Sequence, residues 1–256
     1  MKNYIKKEKV IQIDDAEIYC NITGEASAQA LVLLHGGIGS IEDFEPLIPL
    51  LSKKFLLIKI DSRGHGRSTL GKGKLTYQRL EQDVLAVLQH LNIKETAVLG
   101  FSDGGVVGYR LMASTSVCIT QLITIGANFQ LKEDSAVHDV LSTVTAQSWR
   151  EKFPDTYRLY SQLNPQPNFD RLVTEAVAMW LDTSSTGYPT GTIDSTDGNV
   201  LVIRGDNDFL LPISSALELT SRLNNASFAN TPFAGHEAHK ERPETVFNFI
   251  REFLSS

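Results

Sequence analysis

Cysteine is scarce in this chain: Cys20 and Cys118 are the only two in 256 residues. That excludes a disulfide-stapled scaffold, and both are expected as buried free thiols of a cytoplasmic protein. No apolar run approaches the length needed to span a bilayer, so no membrane partner is expected. Positive charge is also short. With 24 Lys and Arg against 30 Asp and Glu, the net charge is −6, the wrong sign for a phosphate-binding face, which argues against nucleic acid. The one basic cluster, Lys2, Lys6, Lys7 and Lys9, lacks the apolar stretch of an export signal behind it and reads as a solvated edge. Gly71-Lys72-Gly73-Lys74 lacks the glycine spacing and terminal Ser/Thr of a phosphate loop. His236-Glu237-Ala238-His239 sets its histidines three apart, where a zinc helix needs four. Neither a metal nor a cofactor is therefore expected. Repeats and low-complexity tracts are missing as well.

What is present is an ordinary globular composition, 42% hydrophobic and 21% charged, long enough for one large α/β domain with an inserted subdomain. Val10–Ile13 and Glu17–Ile22 alternate around Asp14-Asp15 and predict a hairpin. Ala30–Leu34, Phe55–Ile60, Thr96–Phe101, Gln121–Gly126 and Asn199–Gly205 are largely apolar runs, the pattern of strands buried on both faces of a parallel sheet. Thr76–Leu91 repeats apolar residues at helical spacing, as do segments near 214–223 and 244–254, with a short strand near Ser227–Ala229. Strand and helix alternate, which predicts a doubly wound, mostly parallel α/β sheet. From Asn128 to Gly198 no buried strand is signalled. Aromatic residues on helical segments, and a Ser/Thr/Gly-rich loop over 183–198, predict instead a helical cap inserted after the sixth strand. The core domain is then 1–127 with 199–256, and the cap 128–198.

Chemistry concentrates at strand ends. Gly100-Phe101-Ser102-Asp103-Gly104 fits G-x-S-x-G, a sharp strand-to-helix turn in which small neighbours let a strained serine project its hydroxyl. The same run is not a dinucleotide loop, because serine replaces the middle glycine and no acid closes the next strand. Downstream, Gly205-Asp206-Asn207-Asp208 and Ala234-Gly235-His236 put two carboxylates and then a histidine into loops before helices. A serine hydroxyl is too weakly acidic to attack unaided, so it needs a base, and the base needs an orienting acid.

These stretches, with His35-Gly36-Gly37, Asp61-Ser62-Arg63-Gly64-His65-Gly66-Arg67-Ser68 and the Glu241-Arg242-Pro243-Glu244 run, resemble the α/β-hydrolase fold superfamily over essentially the whole chain. The resemblance implies a serine hydrolase with Ser102 as nucleophile, His236 as general base and acid, and an aspartate orienting the imidazole. The family's spacing from glycine to acid to proline selects Asp208 over Asp206, which becomes a loop-stabilising carboxylate. It also implies an oxyanion hole from the N–H groups of Asp103 and Gly37, with Ile38 a neighbouring candidate, while His35, Arg63 and His65 brace their loops.

The Ser-Asp-Gly-Gly elbow further resembles valacyclovir hydrolase-like esterases, in which the aspartate contacts a substrate amine. The other reading of Asp103 is a favourable acid in the first turn of the following helix. Ile38, Asp103, Trp149 and Trp180 are the substrate-binding candidates, the tryptophans serving equally well as packing within the cap. Tyr188-Pro189 could gate the pocket. The expected partner is a small molecule: a carboxylic ester, thioester or lactone cleaved through an acyl-enzyme. Carbon–carbon hydrolysis, perhydrolysis or acyl transfer on the same residues, and a non-turnover receptor with this fold, are the alternatives.

Overall fold

The protein was analysed as a computed structural model that describes residues 3–113 and 117–255; Lys2 lies outside them. Strands β1 (Tyr4–Ile13) and β2 (Ala16–Glu25) form the antiparallel hairpin, turning at Asp14, which takes a positive φ of 50°. The hairpin runs further than alternation indicates, because most of β1 faces solvent and carries no apolar signal. Lys6, Lys7 and Lys9 sit exposed on this outermost strand, where charge discourages edge-to-edge pairing.

Six parallel strands follow: β3 (Ala30–Leu34), β4 (Leu56–Ile60), β5 (Glu95–Phe101), β6 (Cys118–Ile125), β7 (Asn199–Gly205) and β8 (Ala226–Thr231). The spatial order is β1-β2-β4-β3-β5-β6-β7-β8, with β2 antiparallel to β4. Helices α1 (Ile48–Leu51), α2 (Tyr77–His90), α3 (Asp103–Met112), α4 (Ala136–Ser142), α5 (Ala146–Lys152), α6 (Pro154–Leu163), α7 (Phe169–Trp180), α8 (Ile213–Arg222), α9 (Ala238–Glu241) and α10 (Pro243–Leu254) complete the chain.

Two-residue periodicity splits the core between the sheet faces. In β3, Val32 and Leu34 join a cluster with Leu80 and Val84 of α2, Val106 of α3 and Leu219 of α8. Leu31 and Leu33 join another with Leu51 of α1 and Val246 and Ile250 of α10. Each such side chain contributes roughly 1.5–3 kcal/mol relative to exposure. Helix α2 starts where the sequence indicates, because the Thr76 hydroxyl accepts from the Arg79 N–H at 3.1 Å.

The order also fixes where a site can form. From β3 the chain crosses to β4 on one side, and from β5 to β6 on the other, although β3 and β5 are neighbours. Their loops diverge and leave a crevice at the carboxyl ends of the strands.

Between β6 and β7 lie only helices α4 to α7 and a 3-10 turn at Thr190–Ser195. Helix α7 buries Phe169, Leu172, Val173, Ala176, Met179 and Trp180, whereas α5 has no fully buried residue. Two expectations need correction. Cys118 is exposed at the start of β6, whose first half extends beyond the covered part of the sheet, whereas Cys20 is buried and its thiol is pushed up to about 11 by desolvation. Tyr188 is no free gate: it is buried edge-on against Tyr77 at 5.0 Å. Helix α9, a single turn, is too short for periodicity to signal. Among the described residues no helix is long and apolar enough to cross a membrane.

Candidate active site

Ser102 follows β5 directly and holds φ 50° and ψ −116°, a conformation few side chains adopt. The turn around it over-determines that strain. The Ser102 N–H donates to the Ile125 carbonyl at 2.8 Å, and the Gly104 N–H to the His35 carbonyl at 3.0 Å. A Cβ on Gly104 would fall 2.0 Å from the Leu34 carbonyl oxygen, and one on Gly100 2.3 Å from that of Gly104. Only glycine lets strand and helix close so tightly.

The His236 Nε2 lies 3.1 Å from the Ser102 Oγ, and its Nδ1 lies 3.0 Å from the Asp208 Oδ1. Residues 102, 208 and 236, distant in sequence, therefore meet in one hydrogen-bonded line. Asp208 is fixed by its own loop, since Oδ1 also accepts from the N–H groups of Leu210 at 2.9 Å and Leu211 at 3.1 Å. Asp206 takes no part. Its carboxylate accepts from the Asn230 side chain and the Phe233 N–H, tying two loops together.

Above Ser102 opens a cavity of about 690 Å³ lined by Gly37, Asp103, Trp149, Trp180 and His236, with Val137, Val140 and Leu141 of α4 and Val144 of the loop after it. Ile38 does not line it. With φ 58° its side chain turns into the core, 1% exposed, and borders a neighbouring cavity of about 400 Å³. As first residue of α3, Asp103 has no carbonyl within the helix to receive its N–H. The N–H of Gly37 finds no acceptor among the described residues. The Asp103 carboxylate is held from outside its own helix: Tyr77 Oη donates to Oδ1 and Trp180 Nε1 to Oδ2, each at 2.8 Å. Desolvation by burial raises its pKa, opposed by these two donors.

Against this geometry, known proteins are informative. A sequence profile of the alpha/beta hydrolase fold matches residues 29–185, more than half of the chain. The chain belongs to the alpha/beta hydrolase fold family. It is a hydrolase, and is similar to serine hydrolase BPHL of Mus musculus, 24% identical over 95% of this chain and 85% of that one. Among solved structures it shares its fold with the enol-lactonase from Burkholderia xenovorans LB400 (TM-score 0.78, 20% identity, 97% of this chain and 100% of that one). A second is the 2-hydroxy-6-oxo-6-phenylhexa-2,4-dienoate hydrolase from Rhodococcus sp. strain RHA1 (TM-score 0.80, 20% identity, 99% and 100%).

In this hydrolase the supporting residues are largely as the loop motifs suggest. His35 bonds the Gly36 carbonyl through Nδ1 at 2.7 Å and accepts from the Ser62 N–H at Nε2, fixing its tautomer. Fully buried Arg63 grips Asp83 through two bonds and Asp15 through a third. His65 bonds the Arg63 carbonyl, and burial lowers its pKa to about 3, keeping the ring neutral.

Three contributors had no role assigned from the sequence. Gly126, at φ 62°, leaves room for the His236–Asp208 pair: a Cβ there would lie 2.9 Å from both Asp208 Oδ2 and the imidazole. The Glu241 carboxylate accepts from the Gly235 N–H through both oxygens, at 3.1 and 3.0 Å, and pins the histidine loop. Phe101 packs against His236 at 5.0 Å and against His239 at 4.5 Å. Each stood in a segment the sequence singles out, Gly126 at the close of the strand next to the elbow strand, Phe101 in the elbow and Glu241 in the run before the last helix, but none of these segments shows the contact.

Proposed function

We propose that this hydrolase is a serine esterase that cleaves a small carboxylic ester, thioester or lactone through an acyl-enzyme. The observation that carries the reading is the unbroken line Ser102 Oγ, His236, Asp208, opening on a mostly apolar cavity. His236 takes the Ser102 proton at Nε2 as Oγ attacks the carbonyl carbon. Asp208 holds the imidazole by Nδ1 and stabilises its cationic form. Negative charge developing on the carbonyl oxygen is met by the backbone N–H groups of Gly37 and Asp103, neither of which has an acceptor among the described residues. The tetrahedral species collapses as His236 passes its proton to the leaving oxygen or sulfur. A water deprotonated by His236 then attacks the acyl carbon, and Ser102 recovers its proton. No step requires a cofactor.

Residues 128–198 serve as a cap over the core domain of 1–127 and 199–256. Its valines and Trp149 give the acyl group an apolar wall, which favours uncharged acyl chains over charged ones. The test is direct. A fluorophosphonate should label Ser102, and p-nitrophenyl esters should turn over many times. Ser102→Ala should abolish labelling and lower kcat by roughly 10⁴-fold or more. Labelling without repeated turnover would instead indicate a receptor that kept the fold.

A further inference from the structure

Asp103 is the one carboxylate beside Ser102 that the proposed chemistry leaves unused, and its surroundings are specific. It is 8% exposed, and both oxygens are occupied by neutral donors from separate parts of the chain, Tyr77 on α2 and Trp180 at the end of α7. Gly37 packs directly on this junction: a methyl placed there would lie 2.6 Å from Asp103 Oδ2 and 2.6 Å from Trp180 Cζ2. One hydrogen bond, Trp180 to Asp103, thus touches both residues whose N–H groups have no acceptor among the described residues. Tyr188 closes the far side, edge-on against Tyr77, and Trp149 lies 6.1 Å from Trp180.

We infer that the Asp103 carboxylate is a positioning group: by accepting from Trp180 and Tyr77 it holds the Gly37 and Asp103 N–H groups where the oxyanion forms. The inference rests on the serine-hydrolase reading above. Oxyanion stabilisation depends on donors held in advance at the right place, and misplacement of about 1 Å is costly to rate without being costly to substrate binding. The helix bearing Trp180 is then part of the catalytic frame as well as of the roof.

Shape and charge at this position are separable. In Asp103→Asn the amide oxygen accepts from the Trp180 N–H, which can only donate, and the amide nitrogen donates to the Tyr77 hydroxyl, which can turn to accept. The brace survives while the charge is gone. In Asp103→Ala both donors are left buried without partners. On a neutral ester such as p-nitrophenyl acetate, Asp103→Ala should lower kcat about tenfold or more at nearly constant KM, and Asp103→Asn should lower it severalfold less. Trp180→Phe, which keeps a ring but deletes the donor, should fall between them. A trifluoromethyl ketone, whose adduct carries the oxyanion, should lose affinity in step with kcat.

Equal losses in Asp103→Asn and Asp103→Ala would overturn the proposal in favour of a role for charge, and a change confined to KM would overturn it in favour of pocket shape. If Asp103→Ala fails to fold by thermal melting, Trp180→Phe and Tyr77→Phe carry the same test. Absence of ester turnover in the wild type, or its persistence in Ser102→Ala, would defeat the underlying reading instead.

Discussion

The floor and the roof of the cavity over Ser102 differ in what holds their side chains. On the floor, Ser102, Asp208 and His236 leave the ends of strands or of the loops beside them; backbone hydrogen bonds fix Ser102 and Asp208, and Asp208 in turn holds His236. The roof is made of short helices held by side-chain packing, such as Trp149 on Phe153 at 4.8 Å. Several of its apolar residues remain open to solvent, Val140 by 42% and Phe153 by 40%. Moving Ser102 or Asp208 breaks backbone hydrogen bonds, while moving a roof residue such as Trp149 breaks mainly packing contacts of modest energy. Such a division suits chemistry below and substrate selection above. Trp180 belongs to both, because its ring packs in the roof while its N–H reaches the elbow.

The largest expected effect tests the floor. Asp208→Asn should lower kcat by roughly 10²–10⁴-fold by presenting a donor to the imidazole, while Asp206→Asn leaves kcat within a few-fold. Steady-state kinetics on one p-nitrophenyl ester compares the two, and the reverse ranking would reassign the acid. Next comes the corner that strains Ser102. Gly104→Ala should destabilise the fold by about 3 kcal/mol or prevent folding, since the new methyl meets the β3 backbone. A urea midpoint equal to wild type would show that the elbow relaxes.

On the roof, Trp149→Ala should raise KM for apolar acyl esters about tenfold with kcat within a few-fold, at most 2 kcal/mol of stability being lost. A fall in kcat matching that of a floor variant would erase the distinction. The smallest effect is electrostatic. Burial lowers the pKa values of His65 and His239 to about 3 from 6.5. Between pH 6.5 and 3 the unfolded chain binds protons that the folded one refuses. Stability is therefore full above the unfolded value and falls with pH at about 1.4 kcal/mol per unit for each histidine. His239→Leu should remove one share of that slope in urea unfolding at pH 7, 6 and 5, and an unchanged slope would mean that His239 titrates freely.

Strands whose both faces are covered were legible because burial demands continuous apolar residues: Ala30–Leu34 and Asn199–Gly205 begin where composition indicates. The outer reaches of β1 and the first half of β6 were not, since solvent tolerates any side chain there, and for the same reason Cys118 proved exposed. Ser102, Asp208 and His236 were each identifiable from short-range motifs. The roles of Gly126 and His239 were not, because they are contacts with residues far away in the chain; that of Glu241, six residues from the Gly235 it holds, depends on how the histidine loop folds back. Ile38 was misjudged for a local reason, a left-handed backbone that turns its side chain from the cavity into the core.

By itself, the sequence determined which segments become strands and helices and which residues carry reactive groups, since periodicity, glycine sterics and side-chain chemistry act within a few residues. Only the tertiary structure decided that β3 and β5 lie side by side while their chains diverge. That order opens the crevice and brings Asp103, Trp180 and Gly37 into contact. The reason is range: hydrophobic burial selects the packing as a whole, and no local pattern specifies which donor will meet which acceptor once the layers close.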